Sequence, residues 1–457
     1  PLIPVLEPVM FLGIDIGTTS VSAVILDKRK RCRAAASQAH RADIATAADR
    51  SEQNPDKILK TADRVVRALA LELRSRVKAI GVTGQMHSLL LLDRQGRPLT
   101  PLITWQDRRC LQDHFIHSLQ HKTGYALDSG YGLASLAWLK ANQCLPRKTF
   151  SAATIADYLI ARLIGSSKPF IDPTNAASWG CFDLERLSWD DAALRRLDIQ
   201  SAWLPPIVPC GTLAGQLLDK KALQWRVPAG LPVTVALGDN QASLLATLKH
   251  PEEELALTLG TGAQISALTQ SEQKWATRKG KTWELRPYPG NRHLLTAAAL
   301  NGGSAWAWLA NTLAGWMKEM GVQPPAQEFI FRRLNRLGLA ANDALTFEPY
   351  LRGERWDADL RAAVHGIRWN NVQLGAWSRS LAKGIFTNLY NMLPAEILRN
   401  RKRLMASGNA LRRNPLLRKM AEQVFQLPLV MSRQQEEAAC GAARNAMSML
   451  GNMGQSG

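Results

Sequence analysis

Two segments of the chain, Gly17-Thr18-Thr19-Ser20 and Gly260-Thr261-Gly262, crowd glycine and small hydroxylated residues into single turns. Such a turn offers several backbone N–H groups and hydroxyls over a few ångströms. Glycine also lets the backbone approach a phosphate with no Cβ in the way. One such turn is equally an ordinary hairpin; two of them could hold a triphosphate. Asp15 stands just before the first turn, inside the apolar run Leu12–Ile16. A carboxylate there is costly unless it is paired or linked to a metal. Beside a bound phosphate it is well placed to hold Mg²⁺ through water.

Asp239, in Gly238-Asp239-Asn240-Gln241, follows a largely apolar run. An acid at a strand end before a helix points into a crevice in α/β folds, and phosphoryl transfer to an alcohol needs a carboxylate to take the hydroxyl proton. The same residue is a good helix N-cap, and the residues alone leave the two roles level. Gly84-Gln85-Met86-His87 places hydrogen-bond donors and acceptors together, suited to the hydroxyls of a polyol. Trp105-Gln106-Asp107 adds an aromatic face beside polar groups, where a sugar could stack. A lone histidine or tryptophan is more often part of a core. Gly280-Lys281-Thr282 imitates the end of a P-loop, but the position five before Gly280 is Trp275 rather than glycine, so it is expected to be a surface turn.

The elements that must position these groups follow from periodicity. Phe11–Ile16 and Val21–Asp27 are expected strands flanking the first turn, and Leu255–Leu259 and Ala263–Leu268 flank the second. With Ile16 aligned on Leu259, Asp15 faces Thr258, and the two halves read as related domains. Pro55–Lys78 carries apolar residues at helical spacing; Gly132–Asn142, Ala152–Ile164, Gly303–Met317, Gln373–Leu393, Pro415–Phe425 and Glu436–Leu450 also read as helices. Leu89–Asp93 and Pro232–Leu237 are expected strands.

The 457 residues exceed one ordinary core and predict two domains of roughly 200 residues each. With 46% hydrophobic and 21% charged residues, the chain can bury both. No apolar run approaches the roughly 20 residues needed to span a bilayer. Pro1–Pro8 lacks a secretory pattern, and Met10 is the expected natural start. The six scattered cysteines form no C-x-x-C pair and are expected to be free thiols in a reducing cytoplasm. The net charge of +19 raises nucleic-acid binding. Yet the clusters at Lys28–Arg33, Arg332–Arg336 and Arg399–Lys419 do not interleave aromatics with Lys and Arg, so solvated basic faces are expected.

Six segments, in order, carry a resemblance: FLGIDIGTTS (11–20), GQMH (84–87), WQDRR (105–109), GDNQAS (238–243), LTLGTGAQ (257–264) and SGNALRRN (407–414). The chain resembles the FGGY carbohydrate kinases. NAASWG (175–180), LRGERWDADL (351–360) and GIFTNLYNMLP (384–394) are similar to the sedoheptulokinase branch in particular. The resemblance implies an α/β fold of two actin-like (ribonuclease H-like) domains, 10–246 and 247–450, flanking a deep catalytic cleft. It implies ATP and Mg²⁺ as cofactors, a small sugar as substrate, and neither nucleic acid nor membrane as partner. The implied activity is phosphorylation of a ketose at its terminal hydroxyl, sedoheptulose first. A kinase for xylulose or another polyol, or a nucleotide-driven sugar sensor, is the alternative.

By the same resemblance Asp239 is the catalytic base and shares the metal with Asp15. Gly17, Thr18 and Thr19 form the first phosphate loop, and Gly260, Thr261 and Gly262 the second. Gly408, Asn409 and Asn414 belong to the adenosine motif. Gln85, Met86, His87, Trp105 and Asn240, with Asp239, hold the sugar. The chain departs from the family after Gly353-Glu354-Arg355, where Trp356 replaces a common proline.

The charge reading is directly testable. Binding to random duplex DNA is expected to be weak at low salt and to vanish towards physiological salt in a filter or anisotropy titration. Tight binding that survives such salt would restore a nucleic-acid function.

Overall fold

The structure is a computed structural model that describes residues 9–269, 282–432 and 436–453. Pro1–Pro8, Gly280 and Lys281 lie outside the described residues. Two compact units are formed. The first takes in the chain to Ala246, Pro287–Asn291 and the C-terminal helix; the second takes in the rest from Thr247 to Arg433.

In the first unit, β1 (Met10–Ile16) and β2 (Ser20–Asp27) are apolar along nearly their whole length and almost wholly buried, as befits strands covered on both faces. They pair antiparallel, and β3 (Cys32–Ala39) follows β2 antiparallel. Helix α1 (Pro55–Ala68) starts where the Asn54 side chain accepts the Lys57 N–H and Pro55 supplies its first turn. It buries Ile58, Ala62, Val65 and Val66. The sequence predicts this helix through Lys78, but it ends at Ala68. Val77–Gly84 is instead β4, running parallel to β1. Helical spacing loses there because the ladder on β1 buries seven of its eight residues.

Strand β5 (Leu213–Gln216) and strand β6 (Pro232–Thr234) complete the sheet order β5-β6-β4-β1-β2-β3. The expected strand Pro232–Leu237 is two pieces, because β7 (Leu237–Gly238) pairs separately with β4. Of the predicted helix Ala152–Ile164, Ser151–Ala153 is a strand, and helix α2 (Ile155–Ile164) begins at the Thr154 cap. Helices α3 (Pro173–Trp179) and α4 (Asp239–Thr247) lead to the site.

The second unit repeats this plan. Strands β8 (Glu254–Leu259), β9 (Ala263–Leu268) and β10 (Arg292–Ala299) form the antiparallel meander. Strand β11 (Arg403–Ser407) runs parallel to β8, and β12 (Leu429–Met431) runs parallel to β11. The order β10-β9-β8-β11-β12 matches β3-β2-β1-β4-β6 strand for strand. The repeat expected from two turns therefore extends over five strands. Helices α5 (Gly303–Glu319), α6 (Gln327–Ala340), α7 (Leu374–Met392), α8 (Asn409–Arg413) and α9 (Pro415–Phe425) belong to this unit.

The final helix, α10 (Glu437–Met453), lies on β1 and β4 of the first unit. Its backbone sits directly on two strand glycines. A Cβ built on Gly13 would be 1.9 Å from the Ala439 carbonyl oxygen, and one on Gly81 1.9 Å from that of Ala442. A Cβ on the helix's own Gly441 would be 1.8 Å from the Ala242 carbonyl oxygen of α4. Among the described residues no helix is long and apolar enough to cross a membrane, and all six cysteines are free.

Gly81→Ala is expected to lift α10 from the sheet and cost about 3 kcal/mol, by overpacking against backbone that cannot rotate away. The urea midpoint measures it, and an unchanged midpoint would show that the contact is not tight.

Candidate active site

Strand register assembles the first unit's site. Ile16 pairs with Gly84, and Gly84 with Gly238. The residues that follow these three strand ends are Gly17, Gln85 and Asp239, so three segments far apart in the chain emerge side by side at one end of the sheet's strands.

The first turn is closed by the Gly17 N–H donating to the Ser20 carbonyl at 2.9 Å. Thr18 is held from two sides. Gln53 Nε2 donates to its carbonyl at 2.7 Å, and Trp105 Nε1 donates to its hydroxyl at 2.9 Å. The Thr19 carbonyl accepts the His40 N–H at 3.1 Å. Trp105 is 48% exposed, so its nitrogen secures the turn while much of its ring remains open to solvent.

Gln85 is buried and donates to Gln53 Oε1 at 3.1 Å, which ties it indirectly to Thr18. Its own Oε1 is buried without a hydrogen-bond partner. Met86 is also buried, and its Sδ and Cε lie 3.0 and 2.9 Å from where a Cβ on Gly238 would stand. Met86 therefore packs against Gly238, just before Asp239. His87 adopts a left-handed φ of 68°. Its N–H donates to Ser178 Oγ at 3.1 Å, and its Nδ1 lies 2.6 Å from the Ser178 carbonyl oxygen. A carbonyl can only accept, so Nδ1 carries the proton and the ring presents Nε2 as an acceptor when neutral. The imidazole stacks on Tyr131 with centroids 4.6 Å apart.

Asp239 opens α4, and its Oδ1 accepts the Asn240 N–H at 2.6 Å. The turn before it is locked by groups that sequence reasoning missed. The Gly238 N–H donates to Thr174 Oγ1 at 2.8 Å, and the Thr174 hydroxyl donates in turn to Asp172, 2.8–2.9 Å from its oxygens. Asp172 is fully buried and also accepts from the Asn175 N–H, Asn175 Nδ2 and Cys210 Sγ. Burial pushes its carboxyl above the usual range despite these donors. Because α3 also carries Ser178, one short helix supports both His87 and the Asp239 turn. The signal was visible only as an acid before a proline, which reads as a helix cap.

Asp15 is half-buried as a residue, but its Oδ1 is sealed from solvent with no partner. Burial raises its carboxyl to about 7, with added repulsion from Asp239 and from Glu436, just before α10. An orphaned acceptor among acids suits a cation that takes one or two protein carboxylates and completes its shell with phosphate and water. Among the described residues no three His, Cys, Asp or Glu side chains are grouped to hold a metal by themselves.

In the second unit, Gly260–Gly262 is the turn between β8 and β9. The Gly260 and Thr261 carbonyls accept from the Gly303 and Ser304 N–H groups at 2.9 and 3.0 Å. A Cβ on Gly260 would meet nothing within 4 Å, whereas one on Gly262 would be 2.6 Å from the Ala299 carbonyl oxygen. Thr258, the counterpart of Asp15, shares a 3.0 Å hydrogen bond with Ser407, so this unit has no acid at that position. Gly408 has φ 99° and lies against the Leu259 backbone, 2.3 Å from its carbonyl oxygen to a built Cβ. Asn409 opens α8. Asn414 is buried, and its amide is engaged within the unit: it accepts from Trp306 Nε1 and Asn335 Nδ2 and donates to the Ala410 carbonyl.

Residues 10–246 match the N-terminal domain of the FGGY family of carbohydrate kinases, and residues 255–450 match its C-terminal domain. The chain is 32% identical to sedoheptulokinase of Homo sapiens over 464 residues, covering 94% of this chain and 96% of that one. It is 25% identical to gluconokinase of Bacillus subtilis, covering 94% and 86%. A solved structure of a xyloylose kinase from Brucella ovis shares the fold with a TM-score of 0.81, at 24% identity and covering 97% and 91%. The two sheets and their turns are those of a two-domain, actin-like sugar kinase. The chain belongs to the FGGY family of carbohydrate kinases and is a phosphotransferase with an alcohol acceptor.

The raised Asp15 carboxyl has a defined effect on stability. The folded chain holds a proton that the unfolded chain releases near 3.8, the ordinary aspartate value. Asp15 therefore weakens folding as pH rises from that value through about 7. Without ligands, Asp15→Asn should match the parent in urea at pH 4 and exceed it at pH 8. A variant no more stable at pH 8 would mean that Asp15 ionises without strain.

Proposed function

We propose that the chain transfers the γ-phosphoryl group of ATP to the terminal hydroxyl of a ketose, with sedoheptulose as the acceptor and sedoheptulose 7-phosphate as the product. The observation that supports this reading is the register Ile16–Gly84–Gly238, which sets the Gly17–Ser20 turn, the Gln85–His87 segment and the Asp239 carboxylate beside one another. The likeness to sedoheptulokinase over nearly the whole of both chains supports the choice of sugar.

Gln85 Oε1, His87 and Asn240 offer hydrogen bonds to the sugar hydroxyls, Met86 backs the site, and the exposed Trp105 ring offers a face for C–H stacking. Asp239 accepts the proton of the terminal hydroxyl as its oxygen bonds to the γ-phosphorus. The bond from that phosphorus to the β–γ bridging oxygen breaks, and ADP leaves. Gly17–Thr19 in the first unit and Gly260–Gly262 in the second are each suited to offering backbone N–H groups to a phosphate. Gly408 and Asn409 would contact the adenosine, with Asn414 fixing the end of that helix. Asp15 and Asp239 are suited to holding Mg²⁺, which supplies charge to offset the phosphoryl oxygens when bound.

Asp239→Asn keeps the size and loses the proton acceptor. Turnover is expected to fall by about 10²-fold or more while sedoheptulose binding persists. The parent should phosphorylate sedoheptulose best in a panel of ketoses at equal concentration, read by ADP release. A better rate on xylulose or gluconate would move the substrate assignment. Ligand binding with no turnover on any sugar would replace the kinase reading by a sensor.

A further inference from the structure

Gly353-Glu354, just before the point at Trp356 where the chain departs from its family, has no part in the chemistry above. Glu354 is nevertheless 1% exposed. Its Oε2 accepts the Leu300 backbone N–H at 3.0 Å. Its Oε1 accepts Asn388 Nδ2 at 2.8 Å and Asn301 Nδ2 at 3.3 Å. The Asn301 amide also donates to the Gly353 carbonyl at 2.9 Å. A carboxylate taken out of water is costly, and these amide donors offset that cost only while they stay in place.

What the donors hold is the turn from β10 into α5. Leu300 and Asn301 lead into Gly302 and Gly303, and this backbone lies directly on the Gly260–Gly262 turn. Gly303 and Ser304 donate to the Gly260 and Thr261 carbonyls. A Cβ on Gly302 would be 2.2 Å from the Gly262 carbonyl carbon. Asn388 comes from the largely buried helix α7. A continuous path therefore runs from α7 through Glu354 to the turn at 300–303 and on to Gly260–Gly262, all inside the second unit.

We infer that Glu354 is a positioning residue for nucleotide binding: its buried carboxylate fixes the turn at 300–303 and through it the Gly260–Gly262 turn. This rests on reading Gly260–Gly262 as a phosphate turn. Glu354→Gln has the same size, but its single carbonyl oxygen can serve Leu300 or the two asparagines, not both sets.

The test measures ADP affinity by calorimetry, together with the KM for ATP, the KM for sedoheptulose and the thermal midpoint. In Glu354→Gln, ADP affinity should weaken and the ATP KM rise by about tenfold, with the sugar KM unchanged. Asn388→Ala removes one donor and should give about a threefold change of the same pattern; it carries the test if the glutamine variant does not fold. Parental ATP KM and ADP affinity in whichever variant folds, or equal losses for sugar and nucleotide, would overturn the inference. Gly260→Val separates the two levels, since open space awaits its side chain. If it keeps full ADP affinity, the phosphate-turn reading fails. If it loses ADP while Glu354→Gln does not, only the Glu354 inference fails.

Discussion

The pairing of Gly84 with Ile16 on one side and Gly238 on the other is the constraint on which the site depends. Side chains in a strand alternate between faces, so a slip of one residue would turn every group at these strand ends to the other face. The register is held by burial: Leu12, Ile14, Ile16, Ile80 and Val82 are all at or near zero exposure. The hydrophobic core thereby sets where the turn, the glutamine and the acid emerge, although none of its residues takes part in the chemistry.

Close backbone approach is the second recurrent device, and it explains several glycines. Gly13 and Gly81 receive α10, Gly302 and Gly262 lie one upon the other, and Gly408 rests on Leu259. In each case the neighbour is main chain, which cannot swing aside as a long side chain can. Gly260 differs in having no such neighbour, so its glycine is not required by packing. A glycine without a packing reason in a polar turn is consistent with space kept for a ligand.

Among the carboxylates shielded from water, Asp172, Glu354 and Asp15 are held in two different ways. Asp172 and Glu354 are surrounded by donors from the protein and fasten loops. Asp15 has an oxygen with no donor and lies among other acids. The first two strengthen positions on which the turns depend. The third is a carboxylate whose charge burial and neighbouring acids oppose, a cost that a cation bound there would offset.

The sequence by itself determined both glycine–threonine turns, the strands around them and the positions of Asp15 and Asp239 beside them, because an acid in an apolar run and a glycine–threonine turn are local signals. It also determined the internal repeat, though only over two strands per copy. Tertiary structure decided what local signals could not. Val77 and Lys78 lie at helical spacing yet become strand, because the ladder with β1 buries more than a helix would. The last helix returns to the first unit because Gly13 and Gly81 leave room for its backbone. Trp105 gives its indole nitrogen to Thr18, and Thr174 secures the residue before Asp239, across 87 and 64 positions of the chain. Hydrogen bonds of that span leave no periodicity in a sequence; they exist only once the strands have closed.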